Sequence, residues 1–454
     1  MIRAFLKKVG LLTRKDDQKQ AKGLSHAPRI IARKEHGISR KDISENALKV
    51  LYRLNKHGYG AYLVGGGVRD LLLGLHPKDF DVATDATPDE VRRIFRNCRL
   101  IGRRFRLAHV YFGHDIIEVA TFRGKVDENT QELTHSDKGM ILRDNVYGSM
   151  MEDVWRRDFT INALFYNIKD FSVVDYVGGY DDLKSKKLCM IGEPQERYRE
   201  DPVRMLRAIR FAAKVGFEIP AALSEPMLAL KELITHVSSA RLFEEVMKMF
   251  HSGHARAAYE KLLQHGLFEC LFPATAHSLS DATYPTHELL NIVFNNTDKR
   301  INEHKTVTPA FIIAALLWHP ICIRAQKYID DGEAVYPAQM AAIEDLLREQ
   351  IQRVSIPKRI VQGARDIWLL QMRLSKRQGK RAIQMMTEQR FRAAFDFLEV
   401  RALSGEPVKE LFTWWQTFID SDDGARRNML KALGTKKKRK RFRKRGESTP
   451  KEAT

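Results

Sequence analysis

The stretch Leu63–Val82, LVGGGVRDLLLGLHPKDFDV, decides how this chain reads. A short apolar run, Ala61 to Val64, ends in Gly65, Gly66 and Gly67, and a helix-like segment carrying Arg69 follows. A second strand-like segment then carries Asp79 and Asp81. Side chains two apart on a strand share a face, so the spacing predicts two adjacent carboxylates. Such a pair repels itself at neutral pH unless a cation sits between its members. Mg²⁺ takes hard oxygen ligands of this kind, with phosphate oxygens and water completing its shell. Glycines lack Cβ, so their N–H groups can approach a phosphate closely, and a helix N-terminus adds positive potential. Arg69 is spaced to meet the same phosphate. A lone Asp-x-Asp is usually a solvated turn and a lone Gly-Gly-Gly usually a loop. Their conjunction between apolar strands predicts nucleotidyl transfer.

Outward from this stretch, the pattern alternates strands and helices. Ser44 to His57 has Ala47, Leu48, Leu51 and Leu54 on one helical face, with Gly58 as its C-terminal cap. Thr87, Pro88 and Glu90 supply an N-cap, a first-turn proline and a capping-box acid for a helix running toward Arg96. His109–Gly113 and Ile116–Phe122 read as paired strands, and Phe165–Val177 reads as a hairpin before the turn Gly178-Gly179. Residues 123–145 read as a polar, mobile loop. This alternation predicts a small mixed sheet with helices. Beyond it helices dominate: Leu242, Phe243, Val246, Met249 and Phe250, and again Phe391, Ala394, Phe395 and Leu398, follow helical spacing as core stripes.

The chain has 454 residues and a net charge of +20, which points to a polyanionic partner. Lys436–Arg445, KKKRKRFRKR, is almost wholly basic, and residues 435–454 contribute +8 of that charge, so the body is basic too. Such a tail reads as flexible, with electrostatic, sequence-independent contacts to RNA phosphates. The cluster Arg373, Lys376, Arg377, Lys380 and Arg381 is a second candidate for the same work. Cys98, Cys189, Cys270 and Cys322 lie far apart, which predicts free thiols in a reducing cytoplasm rather than a zinc or disulfide framework. No apolar run reaches the length of a membrane span. The longest, Ala310–Trp318, is expected to end before His319-Pro320. The basic N-terminus is too short in apolar residues for a signal peptide.

GGGVRD followed by KDFDV resembles the head motif of the class II nucleotidyltransferases in the polymerase β-like superfamily. That group holds the bacterial poly(A) polymerases and the CCA-adding tRNA nucleotidyltransferases. Later segments match in order over roughly residues 35 to 420. The basic stretch Arg103-Arg104-Phe105-Arg106 before Leu107 is similar to the one that sets the poly(A) branch apart. The resemblance implies an α+β protein: a flexible lead over 1–38, a mixed-sheet head over 39–180, a helical neck over 181–255, a helical RNA-binding body over 256–434 and a basic tail over 435–454.

It also implies site residues. Gly65, Gly66 and Arg69 would meet phosphate. Asp79 and Asp81 would hold two Mg²⁺ ions (or Mn²⁺), with Glu118 or Asp158 as the third carboxylate, Glu118 as a metal ligand and Asp158 in the catalytic set. Arg157 and Asn162 would contact ribose or phosphate. In the E-D-x-x-R segment, Asp201 and Arg204 would read the Watson–Crick edge of the base, with Arg207 on phosphate. From the residues alone, Asp201 also reads as the N-cap of a helix with Pro202 first, and Glu118 as an ion pair. The expected activity is template-independent addition of AMP from ATP to RNA 3′ ends by a cytoplasmic monomer acting in RNA decay. The alternatives are CCA addition to tRNA and a non-catalytic RNA-binding protein. The expected RNAs are mRNA, regulatory RNA and precursors of tRNA or rRNA, and RNA-decay proteins are candidate partners.

Overall fold

The computed structural model describes residues 27–102, 106–124 and 146–434, in two compact units that divide between Leu230 and Lys231. The loop expected over 123–145, the arginine stretch 103–105 and the tail from 435 fall wholly or mostly outside the described residues.

The first unit is built on an eight-stranded mixed sheet: β1 Arg29–Ile31, β2 Ala61–Val64, β3 Asp81–Thr84, β4 Cys98–Ile101, β5 Leu107–Phe112, β6 Asp115–Thr121, β7 Leu164–Asn167 and β8 Val173–Asp175. The spatial order is β1-β8-β7-β2-β3-β6-β5-β4, and among the described residues only the β3 and β6 strands pair in parallel. Eight helices complete the unit: α1 Glu45–Lys56, α2 Gly66–Leu72, α3 Pro88–Ile94, α4 Met150–Arg156, α5 Gly179–Lys184, α6 Pro194–Glu200, α7 Val203–Val215 and α8 Ala221–Leu230.

Strand alternation sorts side chains to the two faces of the sheet. Ala61, Leu63, Val82, Ile117 and Val119 enter one core with α1 and α3. Val64, Ala83 and Phe165 enter the opposite core, beside Phe122, Val154 and Ile191. Asp81 is two residues before Ala83 and so shares this second face, and Glu118 lies beside it in register. The active edge therefore follows from the same period that builds the core.

Local signals place the helices. Ser44 accepts from Ala47 N at the start of α1, and the Thr87–Glu90 capping box opens α3 as expected. His57, not Gly58, is the C-cap of α1, and Gly58 follows with φ +90°. Helix α3 stops at Ile94, two residues before Arg96.

The stretch expected as a flexible lead differs at its end. Arg29–Ile31 forms the edge strand beside β8, with Ile31 fully buried and Arg29 paired to Asp181 at 2.7 Å. The charged residues around Ile31 hide this short strand from a periodicity reading, since one buried residue and three backbone pairings carry it. The expected neck is also split by the boundary at Leu230.

The second unit is helical among its described residues. Its long helix Pro309–Asp330 continues through Pro320, beyond the end of the apolar run at Trp318. By length and composition this helix could cross a membrane, but two-thirds of its apolar window is buried within the fold, as in a core helix. Leu370, Leu374, Ala394, Phe395, Leu398, Trp415 and Phe418 form a further core cluster in this unit.

Candidate active site

One cleft in the first unit, of about 590 Å³, gathers nearly every residue singled out from the sequence. Gly65 leaves β2 with φ +73° and ψ −135°, a conformation open to glycine alone, and so turns the chain into α2. The predicted Gly-rich turn is thus one loop residue, and Gly66 and Gly67 already belong to the helix. A Cβ at Gly67 would come within 3.3 Å of the Asp79 carbonyl, which shows how closely the cradle and the carboxylate segment pack.

Asp79 lies two residues ahead of β3, exposed, rather than within a strand, whereas Asp81 is the first residue of β3 and partly buried. Both carboxylates line the cleft. Burial first, then the neighbouring charges of Glu118 and Asp79, push the Asp81 carboxyl up to about 6, against the pull of Arg157. A cation here would relieve that crowding. Among the described residues no three His, Cys, Asp or Glu side chains form a ready ligand cluster. The Glu118 carboxylate is half exposed, 3.5 Å from His109 Nε2. The donor set is therefore an open carboxylate pair, which fits Mg²⁺ completed by phosphate oxygens and water better than a closed protein cage.

Behind the pair lies a buried polar network. Arg69 is 1% exposed. Its Nε and one terminal nitrogen donate to Asp70 Oδ1, and the other donates to Asn162 Oδ1 at 2.7 Å. Asn162 in turn donates to Asp158 Oδ1, which also accepts from Phe159 N. Arg207 Nε meets Asp158 Oδ2 at 2.5 Å. Burial raises the Asp158 carboxyl, but Arg207, Asn162 and the Phe159 N–H outweigh it and hold it below the usual range. The Asp158 carboxylate is thus engaged on both oxygens, an anchor for Arg207.

Arg157 is held by Asp153 Oδ2 at 2.8 and 3.0 Å, with its third nitrogen 3.3 Å from Asn162 O. A Cβ on Gly65 would meet that same third nitrogen at 3.8 Å and Asp81 Oδ2 at 4.0 Å, so the three converge.

Arg199-to-Arg207 folds as two helices meeting at a corner. Asp201 is the C-cap of α6 and Pro202 the N-cap of α7, one residue later than expected, yet Asp201 Oδ1 still accepts from Val203 N at 3.3 Å. Arg204 bonds Glu200 and the Arg197 carbonyl, and both Asp201 and Arg204 face the cleft.

Asp70, Asp153, Phe211 and Lys214 also line the cleft, and the sequence reading did not single them out. The Arg157–Asp153 spacing of four on α4 was a visible signal. So was the run Arg204, Arg207, Arg210, whose last two guanidinium groups sit 5.0 and 4.5 Å from the Phe211 ring. Arg69 lies over that ring too, at 5.2 Å.

Comparison with known proteins places the chain in a family. Three family models match: a poly A polymerase head domain over 61–189, a probable RNA and SrmB-binding site of polymerase A over 216–279, and a polymerase A arginine-rich C-terminus over 331–448. Poly(A) polymerase I of Salmonella typhimurium is 50% identical over 436 residues, covering 94% of this chain and 93% of that one. A CCA-adding enzyme of Bacillus pumilus is 36% identical over 246 residues, 54% of this chain and 60% of that one. The CCA-adding enzyme of Bacillus stearothermophilus in complex with CTP shares the fold, with a TM-score of 0.52, 25% identity and coverage of 82% and 81% of the two chains. The chain belongs to the bacterial poly(A) polymerase I family of nucleotidyltransferases.

Proposed function

We propose that the chain adds AMP from ATP to RNA 3′ ends without a template and releases pyrophosphate, at the cleft of the first unit. The observation that carries this reading is the meeting of a glycine phosphate cradle, two adjacent carboxylates and the Asp201–Arg204 corner in one cavity. The primer 3′ oxygen forms a bond to the α-phosphorus as the bond from that phosphorus to pyrophosphate breaks, and the hydroxyl proton passes to water. Bound Mg²⁺ (or Mn²⁺) on Asp79 and Asp81 supplies charge neutralisation and eases deprotonation of the hydroxyl. Gly65 and Gly66 N–H groups and Arg157 receive the triphosphate. Glu118 is the third carboxylate nearest the pair, and Asp158 acts through Arg207 and Asn162. Arg69 works from beneath, fixing Asn162.

Asp201 accepts from the adenine amino group while Arg204 donates to a ring nitrogen, which selects ATP. RNA phosphates meet the second unit and the basic tail. The enzyme works as a cytoplasmic monomer beside RNA-decay proteins, on mRNA, regulatory RNA and tRNA or rRNA precursors.

Incubating the purified chain with an oligoadenylate primer and each nucleoside triphosphate in turn tests the activity. Long tails from ATP alone are expected. Addition of C, C and A to a tRNA, with termination there, would instead assign the CCA reaction.

A further inference from the structure

Lys214 lies in the last turn of α7 and has no part in the chemistry above. Its Nζ sits 2.7 Å from Asp70 Oδ2, on α2, the helix that follows the phosphate cradle. Asp70 is almost wholly buried and already has a counter-charge, because its other oxygen accepts twice from Arg69. Charge neutrality therefore does not require Lys214. What Lys214 adds is a further polar attachment of α7, beyond Arg204 to Glu200 and the Arg197 carbonyl and Arg207 to Asp158. It lies at the opposite end of the helix from Arg204.

The lever can be sized. Arg207 and Lys214 are separated by about 10 Å along the helix at 1.5 Å per residue, and Arg204 lies about 4.5 Å beyond Arg207 on the other side. A slip of about 1 Å at Lys214 moves Arg204 by about 0.4 Å, close to the tolerance of about 0.5 Å for a working site. Apolar packing of Met205, Ile209 and Ala212 also holds α7, but such packing is non-directional and resists small swivels less than a charged hydrogen bond does.

We propose that the Lys214–Asp70 pair is a positioning clasp that sets the angle of α7 against the phosphate cradle, and so sharpens the choice of nucleotide. This rests on the reading of Arg204 as the base-contacting residue.

The test is Lys214→Met, with Lys214→Arg as the conservative variant, on an oligoadenylate primer with ATP, CTP, GTP and UTP separately. With misplacement costing about a hundredfold per ångström, 0.4 Å predicts a loss of about sixfold in ATP preference. The kcat with ATP should change less than about twofold, and Lys214→Arg should recover the preference. An unchanged preference, or an equal fall for all four nucleotides with a lower melting temperature, would overturn the clasp and leave Lys214 a stabilising residue. Lys214→Gln serves if the methionine variant does not fold. Arg204→Ala is measured alongside: if it keeps full ATP preference, the base-reading assignment fails, while the Lys214 result still decides the clasp.

Discussion

Asp158→Ala separates an anchoring carboxylate from a metal-binding one. The substitution removes the Asp158 carboxylate from Arg207, and strips the Phe159 N–H and the Asn162 amide of a shared acceptor. Removing one member of a buried ion pair costs about 3–5 kcal/mol. The Arg207 side chain is 33% exposed, so water recovers part of its hydration and the lower figure, about 3 kcal/mol, applies. For a unit of this size each kcal/mol moves the melting temperature by roughly 2–4 °C, which gives a fall of roughly 6–12 °C for the first unit. Nucleotide addition should fall with it, because α7 loses an attachment. Asp158→Asn keeps an acceptor for Phe159 N and should lose roughly half as much. Differential scanning calorimetry with primer extension on the same samples reads both quantities. If Asp158→Ala melts within about 1 °C of wild type yet adds no nucleotide, the carboxylate is a direct ligand of the reacting groups, and the anchoring argument fails.

Three further perturbations follow from particular contacts. Gly65→Ala forces a side chain into φ +73° and ψ −135°, a strain of about 1–3 kcal/mol that should tilt the cradle and raise the KM for ATP, read by steady-state kinetics; an unchanged KM would mean the turn does not hold the triphosphate. Glu406 in the second unit is pushed up by burial but held below its usual range, on balance, by His319 and Arg401. A depressed carboxyl stabilises above its unfolded pKa of about 4.3 and loses that contribution as pH falls through the folded value. The melting advantage of wild type over Glu406→Gln should therefore be full near pH 6 and shrink below about pH 4, and a pH-independent gap would refute the linkage. Truncation after Gly434 removes the whole +8 segment and should weaken primer binding at low salt, lowering the salt slope by about 0.7 per lost phosphate contact without altering which nucleotide is added. Equal slopes for full-length and truncated protein would take the tail off the RNA.

Sequence made the first unit's strands and capped helices legible because their signals are local. Ala61–Val64 is a short apolar run, mostly buried, that ends at a glycine, and Thr87-Pro88-Asp89-Glu90 carries its own cap. Asp79 and Asp81 could be named because glycine and acid spacing is chemical as well as structural, whereas Asp158, Asp201 and Arg204 are named through the resemblance of their segments to family motifs. What was hidden depends on distant parts of the chain. Nothing near Lys214 reveals Asp70, 144 positions earlier, and nothing near Arg69 reveals Asn162. Ile31 joins the sheet only because β8 lies beside it. Trp318 and His319, just before Pro320, are held by Glu406 at 3.0 Å, a partner no window of sequence includes.

The claim at the centre is that the carboxylate pair beside the glycine cradle performs the transfer. Asp81→Asn keeps the shape of the side chain and removes its charge. Single-turnover incorporation of AMP onto an oligoadenylate primer, with saturating ATP and Mg²⁺, tests the pair most directly. Loss of a metal contact worth about 4 kcal/mol in the transition state is about a thousandfold in rate. Without metal, relief of the crowding with Glu118 and Asp79 should raise the melting temperature of the same variant. A variant that is more stable and about a thousandfold slower is the predicted result. Near-normal incorporation by Asp81→Asn would contradict the account and move the reaction away from this cleft.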